Sequence, residues 1–164
     1  MKRIKKILNW MLLGTTVLMP TRIQAKDIYI DKSNISGTEN GTKDFPYNTI
    51  QEGLYFMESG DTVNVAEGNY QENLEWKVGT SGTLKGISPS VTGISGYDRN
   101  SLDTRVLSME NVHDATIEKF LITNGYHGVY AGNSNNILFK SNLILGNKHR
   151  NITINGNNCI LDGN

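Results

Sequence analysis

The chain has 164 residues, with 16 Lys and Arg against 16 Asp and Glu, so its formal net charge is zero. That length leaves room for one domain and little more, and a neutral balance lacks the basic footprint of a nucleic-acid binder. One Cys excludes an intrachain disulfide and a cysteine-based zinc site, while 17 Gly and 3 Pro suit tight turns between short extended segments better than a helical bundle.

Residues 1–25 read as a secretory leader. Met1–Lys6 (M-K-R-I-K-K) is a positive start, Ile7–Met19 is mostly apolar but too short to span a bilayer, and Pro20 ends it before Ile23-Gln24-Ala25. The mature chain is therefore expected outside the cell, at the cell surface or in a periplasm, with no membrane span. Its charge changes too. The leader holds five positive residues and no acid, so removal leaves 11 positive against 16 negative residues, a net of −5.

Residues 26–60 read as a strand, a loop and one helix. Asp27–Asp31 alternates apolar and polar residues, and Lys32–Asp44 is rich in Ser, Asn, Gly and Thr. Over Thr49–Ser59, Ile50, Leu54 and Met57 share one helical face, Asn48 or Thr49 can cap the start, and Gly60 stops it.

From residue 61 to 164 the pattern is short extended pieces punctuated by Gly and Asn. Strands are expected at Thr62–Val65, Leu74–Val78, Thr83–Ile87, Val106–Met109, Thr116–Ile122, Gly128–Tyr130, Ile137–Phe139, Leu143–Leu145, Ile152–Ile154 and Ile160–Leu161. No second helical pattern appears, which argues against alternating strands and helices.

A repeat organises this region. Sliding the chain along itself until Asn133 meets Asn155 lays Asn133-Ser-Asn-Asn-Ile-Leu-Phe139 on Asn155-Gly-Asn-Asn-Cys-Ile-Leu161, and lays Ile117 on Phe139 and Leu121 on Leu143. One unit of about 22 residues per repeat, with three strands and three turns, is a coil of a right-handed parallel β-helix. About five such coils fit, with matching side chains stacked at strand spacing. Phe139 over Ile117, Leu143 over Leu121 and Cys159 over Ile137 are expected inward ladders. Asn suits the turns because it tolerates the left-handed backbone and can bond to its equivalent in the next coil. The helix is expected to cover the open lower end of the core.

The segments Gly41-Thr-Lys-Asp-Phe-Pro46-Tyr47-Asn-Thr49-Ile50, Ser59-Gly60-Asp61-Thr62-Val63-Asn-Val65 and Val106–Gly125 resemble secreted right-handed β-helix proteins of the pectate-lyase-like superfamily, over about residues 27–164. The resemblance implies the fold. It also implies action on, or binding of, extracellular acidic polysaccharide, with a non-catalytic adhesive β-helix as the alternative. In such lyases a Lys or Arg base removes a proton beside a uronate carboxylate, and Ca²⁺ sits among clustered carboxylates. Ca²⁺ is thus a cofactor the resemblance allows, although no cofactor is evident in the residues themselves. Asp162, Lys140 and Glu118 share one column, which reads as an ion-pair stripe, and Asp98, Asp103 and Asp114 are scattered through loops. No acidic pair suited to glycoside hydrolysis is visible. The chain stops inside a coil, so catalytic coils are expected beyond residue 164, and the open end is expected to favour self-association.

For binding, His127 and His149 lie one repeat apart and are expected to share a turn column, with Tyr126, Lys148 and Arg150 beside them. Aromatic and basic groups on one flank suit an acidic polysaccharide. Trp76 and Tyr97 are isolated aromatics that could serve as sugar platforms or as packing.

Overall fold

The computed structural model describes residues 24–164; most of the expected leader, residues 1–23, lies outside them. Among the described residues, fourteen strands and one short helix follow in order: β1 (Asp27–Ile30), α1 (Ile50–Phe56), β2 (Thr62–Val65), β3 (Gly68–Gln71), β4 (Leu74–Glu75), β5 (Gly82–Lys85), β6 (Thr92–Ser95), β7 (Arg105–Glu110), β8 (His113–Glu118), β9 (Leu121–Thr123), β10 (His127–Gly132), β11 (Asn135–Lys140), β12 (Leu143–Ile144), β13 (Arg150–Asn155) and β14 (Ile160–Asp162).

Every strand pairing is parallel, and every third strand meets its successor. Three sheets result, in the orders β1-β2-β5-β8-β11-β14, β3-β6-β9-β12 and β4-β7-β10-β13. Each coil contributes one strand to each sheet, so the chain winds as a right-handed parallel β-helix. Four coils end in β13, β14 opens a fifth, and β1 lies beneath the first.

One ladder runs through all six strands of the first sheet: Ile28, Val63, Leu84, Ile117, Phe139 and Leu161 lie opposite one another in turn. The five below Leu161 are buried. Burial of like on like removes apolar surface from water on every rung. Phe139 over Ile117 is the ladder the repeat foretells, and Cys159 packs at the core edge. Leu143 does lie opposite Leu121, but this pair faces outward: Leu143 is 46% exposed, while Ile94 and Ile122 form the buried column beneath Ile144. Side chains alternate along a strand, so Leu and Ile as neighbours cannot both point inward. The apolar pair concealed which member was core.

The repeat keeps its length where turns are short. Between β5 and β8 Thr83 meets Thr116, a step half as long again, because the connections at 86–91 and 96–104 are long. The stretch Thr116–Ile122, expected as one strand, breaks at Lys119, whose φ of 67° turns the chain from the first sheet to the second. β3 and β6 were not foreseen, since Gly-Asn-Tyr-Gln and Thr-Gly-Ile-Ser carry one large apolar residue each.

Helix α1 starts on a capping box: Thr49 accepts from the Glu52 backbone N–H, and Glu52 accepts from that of Thr49. Glu72, from the first coil, accepts from the N–H groups of Ile50 and Gln51 at 2.9 and 3.0 Å, tying the helix to the stack. Burial pushes the Glu72 carboxyl above its ordinary value, and these two bonds pull it back. Ile50, Leu54 and Met57 are fully buried against the lower coils, as the helical spacing requires. Among the described residues no helix is long and apolar enough to cross a membrane.

In the upper part of the stack, turn side chains bind one coil to the coil below by a shared geometry. Asn142 accepts from the N–H of Phe120 at 3.1 Å and donates to the carbonyl of Ile117 at 2.9 Å. Asn164 does the same to Asn142 and Phe139, Asn147 to Gly125 and Ile122, and Ser134 to Val112 and Met109. Asp114, Asn136 and Asn158 form an outer ladder, all three with positive φ. The Asn-rich repeat is the imprint of these bonds.

Candidate functional site

The third sheet, β4-β7-β10-β13, brings Arg105, His127 and Arg150 into one column, with His127 opposite Arg105 below and Arg150 above. Successive strands lie about 4.8 Å apart, so this column spans about 10 Å, comparable to two pyranose units. Its order corrects the expectation that His149 would sit above His127. The repeat register holds as far as Gly146, which matches Asn124 in its left-handed backbone. One additional residue within Asn147–His149 then lengthens the step in the third sheet, so that Arg150 meets His127.

The shift builds an aromatic cluster. His149 stacks on Tyr126 with ring centroids 5.3 Å apart and planes 7° from parallel. His127 meets both edge-on, at 5.0 Å from each. Lys148 lies 5.9 Å over the Tyr126 ring and donates to Asn100 Oδ1 at 3.2 Å. All five expected residues, Tyr126, His127, Lys148, His149 and Arg150, therefore fall on one face.

Three further residues complete it. The Arg105 guanidinium lies 4.1 Å over the Tyr130 ring and donates to Asp103 Oδ1 at 3.3 Å. Asp103 Oδ1 is also 4.0 Å from His127 Nε2. Asp103, Arg105, His127, Tyr130, Arg150 and Thr153 together line a cavity of about 150 Å³. Arg105 lies one repeat before His127, a signal the sequence carried; Asp103 belongs to the long 96–104 loop, which breaks the period.

His127 is shielded, and its Nδ1 has no hydrogen-bond partner among the described residues. Burial holds its pKa below the ordinary 6.5, with the His149, Arg105 and Arg150 charges adding to the effect and Asp103 opposing it. As pH falls below 6.5 the unfolded chain takes up a proton that the folded His127 resists, so folding stability is lost there. Between about pH 7.5 and about pH 5.5, urea melts should show a steeper loss for the native chain than for His127→Gln. Equal slopes would contradict this assignment.

Trp76 is core: it is 3% exposed and donates to the Thr80 carbonyl at 3.1 Å. Tyr97 is exposed and lines a different cavity, with Tyr70 and Glu72. The column of Lys85, Glu118, Lys140 and Asp162 holds in register, and Lys85 pairs with Glu118 at 3.3 Å. Among the described residues no three His, Cys, Asp or Glu side chains converge as a metal site would need. A hard cation such as Ca²⁺ would call for a cluster of oxygen ligands of that kind.

The fold and this face together define a parallel β-helix with a basic, aromatic-lined flank. Solved structures that it resembles include pectin methylesterases. One, bound to a hexasaccharide, aligns at a TM-score of 0.62 and 13% identity over 82% of this chain and 48% of that chain. A variant bound to another hexasaccharide aligns at 0.61, with the same identity and coverage. PemA from Erwinia chrysanthemi aligns at 0.60 and 13% identity, again over 82% of this chain and 48% of its own. The chain spans about half the length of these structures, and identity at that level shows the fold alone. No protein family and no curated protein matches the sequence.

Proposed function

We propose that this chain belongs to an extracellular β-helix protein that binds acidic, pectin-like polysaccharide along the outer face of β7, β10 and β13. The observation that carries the reading is the Arg105–His127–Arg150 column beside the Tyr126, His149 and Tyr130 rings. Guanidinium groups recognise carboxylates in a planar, two-pronged way, and aromatic faces stack on the C–H surface of sugar rings. The likeness to pectin methylesterases, two of them holding hexasaccharides, supports the ligand class. Export follows the leader read in residues 1–25.

Binding rather than turnover is the role assigned to the described coils. Among the described residues Asp103 is the one carboxylate lining the Arg105 cavity, and it is already engaged by Arg105 and close to His127.

Gel-retardation on polygalacturonate tests the proposal. Arg105→Ala with Arg150→Ala is expected to weaken binding at least about tenfold, each lost charge-assisted contact being worth about 1.5–3 kcal/mol. Tyr126→Ala with Lys148→Ala should weaken it less, since both lie at the rim. Unchanged retention in the arginine double variant, with its melting temperature preserved, would end the proposal.

A further inference from the structure

A second cavity, of about 500 Å³, lies on the first sheet and shares no residue with the Arg105 site. Its apolar walls include Pro46, Ala66 and Ile87, and Tyr29 stands at one side. Three lysines line it, each from a different part of the chain: Lys43 from the segment before α1, Lys85 from the end of β5, and Lys119 from the turn after β8. Small-molecule sites have this volume and this mix of apolar lining with a few converging polar groups.

Defined turns fix the backbone positions of Lys43 and Lys119. Lys43 sits in a turn closed by the bond from Phe45 N–H to the Thr42 carbonyl, and that segment is pinned to β1 through Tyr29 and Gly41 at 2.9 Å. Lys119 occupies the left-handed turn that rests on Gly86. A Cβ on Gly86 would come within 2.5 Å of the Lys119 carbonyl oxygen, so glycine is what lets this turn lie so close. One carboxylate, Asp31, lines the cavity, its Oδ1 accepting from the backbone and hydroxyl of Ser33, and Lys85 pairs with Glu118. Lys43 and Lys119 have no ion-pair partner among the described residues.

We propose that this groove is a second binding site, taking a sugar-sized molecule with one anionic group, carboxylate or phosphate. The ring would lie on the apolar wall at Ile87 and Pro46, and the anion would meet the Lys43 and Lys119 ammonium groups. The proposal does not depend on the Arg105 face being a polysaccharide site.

Amide shift mapping on the ¹⁵N-labelled protein tests it, with D-galacturonate, glucose 6-phosphate and neutral methyl galactoside as separate probes at millimolar concentration. Movement of the Asp31, Gly86, Ile87 and Lys119 amides by either anionic probe supports the site, and which probe acts decides between uronate and phosphosugar. Lys43→Gln with Lys119→Gln should weaken that probe roughly tenfold, while Arg105→Ala with Arg150→Ala should leave it unchanged. Equal response to the neutral galactoside, or no response to any probe in a protein with native melting behaviour, would overturn the proposal.

Discussion

Replacing Phe139 by alanine is expected to cost about 3–5 kcal/mol of folding stability. Phe139 is fully buried and stacks on Ile117 in the ladder that runs through all six strands of the first sheet. Truncation removes the transfer energy of the ring and leaves a cavity beside backbone that its neighbours cannot abandon. The rungs are fixed at strand spacing by parallel hydrogen bonds, so collapse around the gap is limited. Leu161 above is 54% exposed and offers little cover. Phe139→Leu, which keeps much of the volume, should cost markedly less. Urea unfolding gives both values. A loss below about 1 kcal/mol for alanine would mean that the ring is not core.

Asn142→Ala is expected to cost about 2–4 kcal/mol, because it strands two backbone groups at once. The Phe120 N–H and the Ile117 carbonyl both end on the Asn142 amide, and Asn142 is only 2% exposed. Water cannot readily replace these bonds inside the stack. The loss should be visible locally: the Phe120 amide should exchange with solvent much faster in the variant. Native-like protection there, together with native stability, would contradict the shared turn geometry described for Asn142, Asn147, Asn164 and Ser134.

That geometry explains what the sequence reveals. The repeat is legible from Asn133 to Leu161 because Asn136 and Asn158 bond to one another in the outer ladder and the strands after them, β11 and β14, pair one repeat apart. It fades wherever a coil has freedom outside the stack. The connections at 86–91 and 96–104 lengthen one coil by half without disturbing the ladder, since loops on the surface need no register. β3 and β6 escape notice because sheet pairing, not apolar pattern, makes them strands.

The candidate site follows the same logic. Tyr126, His127, Lys148, His149 and Arg150 are visible because adjacent turns bring them together. Their internal arrangement is not, because a single added residue exchanges His149 for Arg150 above His127. The Arg105–Tyr130 contact depends on how two side chains lean across neighbouring strands, which no spacing encodes.

As proposed above, the Arg105–His127–Arg150 face selects carboxylated sugars. Calorimetric titration with one homogalacturonan oligosaccharide, in de-esterified and in fully methyl-esterified form, tests it most directly. The de-esterified form is expected to bind, more weakly as salt is raised, and the neutral ester to bind little. Equal affinity for the two forms, or none for either, would contradict it.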